Sequence, residues 1–383
     1  SVPTPSTVEC LIRETMSSDP ASVVMWRQGR RWSETLAPLQ FDTASAHSPT
    51  GGILITGGLG GIGGAIARNL ATQPDAHLVL TGRSPSDSAI ETRLAELRAD
   101  GATVEYQQTD VTDPTSVAAL HEKLTGQNRT INLIVHAAGL PASGSLLRTD
   151  DTRSEAVLSP KVAGTRLLWK HFGDHLPGGL ILMSSVSARL GEFGQSDYAA
   201  ANAFMDAFAT THATAANPVI SLGWDGWDEV GMAARLSREP GMAAWHEERR
   251  ARLIQPARGV AAFHAAIGCG EAHVLITTHP LTGRQVSPPA ATASIPTPTR
   301  THDRPDLITP FVAPENSTET IIAEIWGELL GLKEVGVDDS FFDLGGHSLL
   351  ATQVLARLRD RAWGTVNLAE FFENPTVRGL SRL

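Results

Sequence analysis

Between Gly52 and Thr278, short apolar runs alternate with stretches of helical period. The runs that read as strands are Ile53–Thr56, His77–Leu80, Thr103–Tyr106, Asn132–His136, Leu180–Ser184, Val219–Leu222 and Val274–Thr277. Amphipathic segments separate most of them, with apolar residues three or four apart, the spacing that gathers side chains on one helix face. Parallel neighbours need a crossover, and crossover helices cover both faces of the sheet they join. The pattern predicts an α/β fold, a Rossmann-like doubly wound parallel sheet over residues 51–284. Such a sheet collects ligands beyond the carboxyl ends of its strands.

The pattern changes on either side. Residues 285–314, "QVSPPAATASIPTPTRTHDRPDLITPFVAP", are rich in Pro, Thr, Ser and Ala and read as an extended, semi-rigid linker. Residues 315–383 return to helical period in "TETIIAEIWGELLGL", "SLLATQVLARLRDRAW" and "NLAEFFEN", the pattern of a small helical bundle. Residues 1–50 contain "VVMWRQGRRWSETLAPL", which suits a strand and hairpin but is too short for a domain. No internal repeat is visible.

Composition narrows the function. Hydrophobic residues make up 42% and charged residues 19% of the chain, ordinary values for a soluble globular protein. The net charge of −10 argues against a nucleic-acid partner, whose affinity rests on Lys and Arg neutralising phosphates. No apolar run approaches the roughly 18 residues of a membrane helix, and the N-terminus has no basic-then-apolar signal pattern. Cys10 and Cys269 lie far apart, outside any metal-ligand spacing, so reduced thiols in the cytoplasm are expected, with no metal site. The opening "SVPTPST" has no Met and reads as the continuation of a longer chain.

Candidate chemistry begins at "ILITGGLGGIGGAIARNL", a strand, a glycine turn and a helix start. It fits G-x-G-x-x-G through Gly58, Gly60 and Gly63, and the more specific T-G-x-x-x-G-x-G through Thr56, Gly57, Gly61 and Gly63. Glycine lets the backbone approach a pyrophosphate, and the helix N-terminus offers N–H groups and a positive dipole end. After the second strand, "HLVLTGRSP" supplies Arg83 and Ser84 and no carboxylate, which favours the 2′-phosphate of NADPH over the free ribose of NADH.

A second constellation follows. In "GQSDYAAANAFMDAFATTH", Tyr198 and Asn202 are four apart on one helix face, and "LILMSSVS" ends a strand at Ser184-Ser185. Reducing a ketone takes a hydride at carbon and a proton at oxygen. A Tyr hydroxyl donates that proton if a Lys ammonium lowers its pKa, and a Ser hydroxyl holds the same oxygen as charge develops.

"TGGLGGIG", "HAAG", "SSVSARLGEFGQSDYAAANAF" and "GWDGWDEVGMA" together resemble the ketoreductase domain of modular polyketide synthases, a branch of the short-chain dehydrogenase/reductase superfamily. Those ketoreductases place Asn four residues after the Tyr and the Lys far upstream, as Asn202 and Lys161 stand here, with Ser185 thirteen before Tyr198. The resemblance implies Tyr198 as proton donor, Ser185 as carbonyl holder, and Lys161 with Asn202 as ribose, water and proton-relay partners. It implies cofactor contacts from Gly57, Gly58, Leu59, Gly61 and Ile62 in the turn. Asp110 and Val111 would meet the adenine, and Ala137, Ala138 and Gly139 would line the cofactor. Trp224, Trp227 and Met232 would lie in a mobile segment over the site, or in the core. Residues 1–50 would be the C-terminal remnant of the family's non-catalytic subdomain. The loop Leu140-Pro141-Ala142-Ser143 lacks the Leu-Asp-Asp of B-type enzymes, which implies A-type stereochemistry, although Leu190 replaces the A-type Trp. Gln195, where another subtype has His, points to A1.

"DDSFFDLGGHSLLATQVLARLR" resembles a carrier domain, a small four-helix bundle of the acyl or peptidyl type. Gly346-His347-Ser348-Leu349-Leu350 lacks the second Gly of a nucleophile elbow, so Ser348 is not expected to attack substrate. The resemblance implies 4′-phosphopantetheine on Ser348, which suits a favoured helix N-cap. Asp338, Asp339 and Asp343 would give a phosphopantetheinyl transferase an acidic surface. The expected function is NADPH-dependent reduction of a carrier-bound β-ketoacyl thioester, alongside other domains of a synthase. Rival readings are an α-ketoacyl thioester in a depsipeptide synthetase and a carrier module whose reductase fold only scaffolds. A free-standing dehydrogenase would leave the carrier unexplained.

Overall fold

The computed structural model describes residues 5–16, 24–39, 51–73, 76–99, 101–142, 149–191, 194–236, 250, 252–281, 302–305, 307, 309–346, 348–361, 366 and 368–383. Residues Ser1–Ser45 form one compact unit and Ala46–Leu383 another.

The first unit holds α1 (Pro5–Thr15) and an antiparallel hairpin, β1 (Val24–Arg27) and β2 (Arg30–Ser33). Gln28 and Gly29 turn the hairpin at φ 51° and 71°, two left-handed residues in a row whose twist matches the flanking strands. Glu14 of α1 accepts from Arg31 Nη2 at 2.7 Å and Arg31 Nε at 2.8 Å, and the guanidinium holds its carboxyl below the ordinary carboxylate range. Leu11, Ile12, Met25 and Trp32 are exposed in this unit.

The second unit contains a seven-stranded parallel sheet. In chain order its elements are β3 (Gly52–Thr56), α2 (Gly61–Ala71), β4 (His77–Gly82), α3 (Ser88–Ala99), β5 (Thr103–Gln108), α4 (Pro114–Gly126) and β6 (Ile131–His136). There follow α5 (Asp151–Phe172), β7 (Gly179–Ser185), α6 (Ser187–Leu190), α7 (Ser196–His212), β8 (Val219–Trp224), α8 (Gly231–Leu236), α9 (Pro256–Ile267) and β9 (His273–Ile276). The strands lie in the order β5-β4-β3-β6-β7-β8-β9, each pair parallel. Successive side chains point to opposite faces. Ile53 and Ile55 therefore pack with Ile66 and Leu70 of α2, Leu94 of α3 and Phe263 of α9, while Leu54 packs with Leu120 of α4, Leu168 of α5 and Met205 of α7. Helices on both faces explain why the strands read as nearly continuous apolar runs. The chain moves outward from β3 to β5 and then returns to β6 beside β3, and the crevice opens at this reversal.

Residues 317–383 form the expected small helical domain: α10 (Ser317–Leu330), α11 (Ser348–Asp360), α12 (Leu368–Glu373) and α13 (Val377–Leu380). Asn316 caps α10 by accepting from Glu319 N–H at 2.8 Å, and Gly331 ends it in the left-handed region at φ 71°. The core is built on fully buried Trp326, whose ring meets Phe341 edge-on at 4.8 Å and lies 6.0 Å from Phe371.

The expected linker reached to residue 314, and here the structure differs. Residues 282–301 lie outside the described residues, but those described from His302 onward are tied to the helical domain. His302 N–H donates to Gly331 O at 3.1 Å, Lys333 N–H donates to His302 O at 2.9 Å, and Leu307 and Val312 pack against the domain's core. Arg304 grips Asp339 through two parallel bonds, Nε to Oδ2 at 2.8 Å and Nη2 to Oδ1 at 2.6 Å. Gly336 N–H adds a third donor to Asp339 Oδ2 at 2.7 Å. Composition missed this strap because one Arg with two apolar anchors is enough to fix a Pro- and Thr-rich segment. The strap also corrects the acidic surface expected of the carrier. Asp339 is wholly buried and paired, while Asp338, in a surface ion pair with Arg378 at 3.0 Å, and Asp343 stay at the surface. Removing one partner of a buried pair strands the other's charge at a cost of about 3 kcal/mol or more. Arg304→Ala should lower the unfolding temperature of the helical domain far more than Lys333→Ala, whose partner Asp303 is exposed. Differential scanning calorimetry of each variant beside the parent checks the difference.

Candidate active site

β3 ends at Thr56, and the chain turns at once through Gly57 in the left-handed region at φ 67°. A Cβ there would lie 3.0 Å from both Ala137 O and Ala138 N. One on Gly63 would lie 2.7 Å from Gly57 O, and one on Gly58 2.8 Å from Leu80 Cδ2. These glycines are therefore demanded by close packing of the turn on β6 and β4, as the motif requires. Leu59 and Gly60 complete the turn, and Gly61 and Ile62 open α2. Gly60, at the N-cap, has no side chain to cap the helix, so the first-turn N–H groups are suited to an anion.

Beside this turn is a cavity of about 180 Å³, lined by Gly57, Thr81, Gly82, Arg83, Thr109, Asp110, Val111, Thr112, Ala138, Gly139, Leu140 and Pro160. Six of the residues expected to bind cofactor are in that lining; Ser84 follows Arg83, and Ala137 underlies Gly57. Thr81 Oγ1 is buried there without a protein partner among the described residues, a group a ligand can satisfy. The glycine cradle, the helix end, this hydroxyl and exposed Arg83 all fit a phosphorylated dinucleotide. Asp110 faces its own turn as well, its Oδ1 accepting from Thr112 N–H at 2.9 Å and Thr112 Oγ1 at 2.7 Å.

The other expected residues gather at the ends of β7 and α7. Ser185 is the last residue of β7 and half-buried. Ser187 donates to its Oγ twice, from N–H at 3.2 Å and from Oγ at 3.0 Å. A Ser hydroxyl has one proton and two lone pairs, so filling the lone pairs leaves Ser185 to act as a donor. Tyr198 stands in the first turn of α7, half-buried. Asn202, one turn on and fully buried, donates through Nδ2 to Tyr198 O at 2.7 Å. Its Oδ1 has no protein partner among the described residues.

Lys161 comes from α5, 3% exposed. Its Nζ donates to Met183 O at 2.7 Å and lies 5.6 Å from the centre of the Tyr198 ring. Burial pulls its pKa down from the usual value to about 8, and the Asp206 carboxylate opposes part of that shift. The ammonium is thus still the main form at neutral pH, held under the Tyr198 ring.

Residues that sequence reasoning left without a role connect these parts. His136, at the end of β6 and fully buried, faces Pro160 O through Nε2 at 2.9 Å and Thr56 Oγ1 through Nδ1 at 2.7 Å. A carbonyl only accepts, so Nε2 carries the proton and Nδ1 accepts from Thr56. Thr56 Oγ1 in turn accepts from Ala138 N–H at 3.2 Å. Burial, helped by the Lys161 charge, lowers the His136 pKa to about 3, so the ring stays neutral and this direction of bonds is kept. Gly164 makes room for the ring: a Cβ there would lie 3.2 Å from Nε2. One imidazole thereby joins the glycine turn to the Pro-containing stretch of α5 that presents Lys161. "HAAG" was the visible signal, but its His gains meaning only once β3 and β6 are neighbours.

Trp224 and Trp227 are 3% and 1% exposed and belong to the core, Trp227 seated where a Cβ on Gly259 would clash at 2.3 Å. They are therefore not part of a mobile cover, and Met232, in α8, is half-buried. Leu140 lines the cavity, Ser143 lies outside the described residues, Leu190 ends α6, and Gln195 precedes α7. α11 opens at Ser348; its side chain and His347 lie outside the described residues. Among the described residues no cluster of His, Cys, Asp and Glu suits a metal ion, and no helix is long and apolar enough to cross a membrane.

The KR domain family model matches residues 51–229, and the phosphopantetheine attachment site model matches residues 320–383. Erythronolide synthase EryA3 of Saccharopolyspora erythraea is 31% identical over 93% of this chain, which spans 11% of that protein's length. Among solved structures, the first ketoreductase of the tylosin synthase is 29% identical with a TM-score of 0.60, over 71% of this chain and 58% of that one. An A1-type ketoreductase is 29% identical with a TM-score of 0.59, over 66% and 53%. The chain thus carries a KR domain followed by a phosphopantetheine attachment site, and the relatives it matches are modular polyketide synthases.

Proposed function

We propose that the chain reduces a β-ketoacyl thioester to the β-hydroxyacyl thioester, with NADPH as cofactor and the acyl group carried on 4′-phosphopantetheine at Ser348. The observation that carries this reading is the Lys161 ammonium held 5.6 Å from the Tyr198 ring and packed under Gly139 of the nucleotide cavity. Bound NADPH supplies a hydride to the carbonyl carbon. Ser185 donates a hydrogen bond to the carbonyl oxygen and fixes its position as negative charge grows there. Tyr198 delivers its phenolic proton to that oxygen, which completes the alcohol. Lys161 stabilises the resulting phenolate and, with Asn202, returns a proton to it. The glycine turn from Gly57 to Ile62 takes the pyrophosphate, Arg83 and Ser84 the 2′-phosphate, and Asp110 and Val111 the adenine. Ala137, Ala138 and Gly139 support the rest.

Likeness to an A1-type ketoreductase and the loop Leu140-Pro141-Ala142 support A1 stereochemistry. The partners of this reading are other synthase domains and a phosphopantetheinyl transferase that primes Ser348. The test is reduction of defined ketoacyl-pantetheine substrates with NADPH, with chiral analysis of the alcohol; β-ketoacyl groups should be turned over in preference to α-ketoacyl ones. The rate should also fall as pH rises through about 8, because Lys161 then loses the charge that supports Tyr198. A pH profile at saturating cofactor checks this, and a decline that begins only near 10 would move the titrating group elsewhere.

A further inference from the structure

Tyr106 and Gln108 are two apart on β5, the edge strand, so they project from one face of the sheet. Their partners are not on a helix. Both reach across to the loop that follows β4, where Tyr106 Oη donates to Ser84 O at 2.6 Å and Gln108 Nε2 donates to Arg83 O at 3.0 Å. The backbone ladder supplies a third bond, from Thr109 N–H to Gly82 O at 2.8 Å. Three consecutive carbonyls, of Gly82, Arg83 and Ser84, are therefore all bonded to β5 and the residue after it. In an extended strand successive carbonyls alternate in direction, so this arrangement is imposed on the loop.

The consequence follows from the planarity of the peptide. Carbonyl and N–H of one trans peptide point in opposite directions. Turning the Gly82 and Arg83 carbonyls toward β5 sends the Arg83 and Ser84 N–H groups the other way, toward the β3 side, where Gly57, Gly82 and Arg83 line the cavity. Partial negative charge is drawn away from that side and N–H dipoles are offered to it, the arrangement an anion needs. Gly82 is part of the device: a Cβ there would lie 2.9 Å from Tyr106 Oη and push the phenol off its carbonyl.

We infer that Tyr106 and Gln108 are positioning residues for the nucleotide's 2′-phosphate: by holding the carbonyls of Arg83 and Ser84 on β5 they give the loop its preference for NADPH over NADH. The inference rests on NADPH being the cofactor. Neither side chain lines the cavity, so both act through the loop.

The test uses the full chain, with KM and kcat measured for NADPH and NADH on one β-ketoacyl-pantetheine substrate. Tyr106→Phe, which removes only the hydroxyl, and Gln108→Ala should each raise the NADPH KM roughly threefold to fivefold, and the pair by roughly tenfold or more, the value of neutral hydrogen bonds. The NADH KM should move by less than about twofold, so the ratio of the two KM values falls. Equal rises in both KM values would make the clamp a mere structural support and overturn the inference, as would unaltered kinetics in the double variant. Arg83→Ala separates this failure from that of the cofactor reading. If Arg83→Ala erases the preference for NADPH while the clamp variants keep it, only the clamp is wrong. If Arg83→Ala also keeps it, the phosphate is bound elsewhere and both fall.

Discussion

Tyr198→Phe should lower reduction by roughly a thousandfold or more while NADPH still binds, since a positioned general acid contributes about 10² to 10⁴. The substitution removes one oxygen and keeps the ring that covers Lys161, so the fold and the nucleotide cavity should survive. The comparison that gives the result meaning is Ser185→Ala. In the proposed mechanism Ser185 would only orient and stabilise the oxygen, so its loss should cost less than the loss of the proton. Cofactor binding by fluorescence and turnover on a ketoacyl-pantetheine substrate report the two steps separately. Full activity in Tyr198→Phe would remove the mechanism.

Ser348→Ala should abolish attachment of the pantetheine arm, and with it every reaction that depends on an acyl group carried by this chain. Attachment joins one phosphate to one hydroxyl, so the expected outcome is all or none: one added arm by intact-protein mass spectrometry in the parent, none in the variant. Reduction of a free pantetheine thioester should persist in Ser348→Ala, because the Tyr198 and Lys161 site is built from other residues. An arm retained in the variant would place the attachment elsewhere.

What could be read from the sequence shares one property: it is local. The glycine turn is legible because one strand, one turn and one helix start demand Gly57, Gly58 and Gly63 within a short stretch. Tyr198 and Asn202 are legible because an i, i+4 pair shares a helix face whatever surrounds it. The missing parts depend on pairing between distant strands. His136 joins Thr56 to Pro160 only because β3 and β6 are adjacent, and Tyr106 meets Ser84 only because β5 lies beside β4. Trp224 and Trp227 were left between two readings. Their place in a family motif allowed a mobile cover or the core, and the packing of Trp227 on Gly259 selects the core. Arg304 and Asp339 were hidden by distance, 35 residues apart, with one of them inside a segment whose composition argued for a linker.

That last pair bears on how such carriers are cut and exchanged. A boundary placed where the attachment-site family match begins, at residue 320, would discard Arg304 with the rest of the strap and leave the Asp339 carboxylate without its guanidinium partner. A carrier grafted from that point into another synthase would bring an uncompensated charge and an uncovered patch of core along with its intact Ser348. It could then be judged incompatible with its new neighbours when it was only incomplete. A junction ahead of His302 moves guanidinium and carboxylate together.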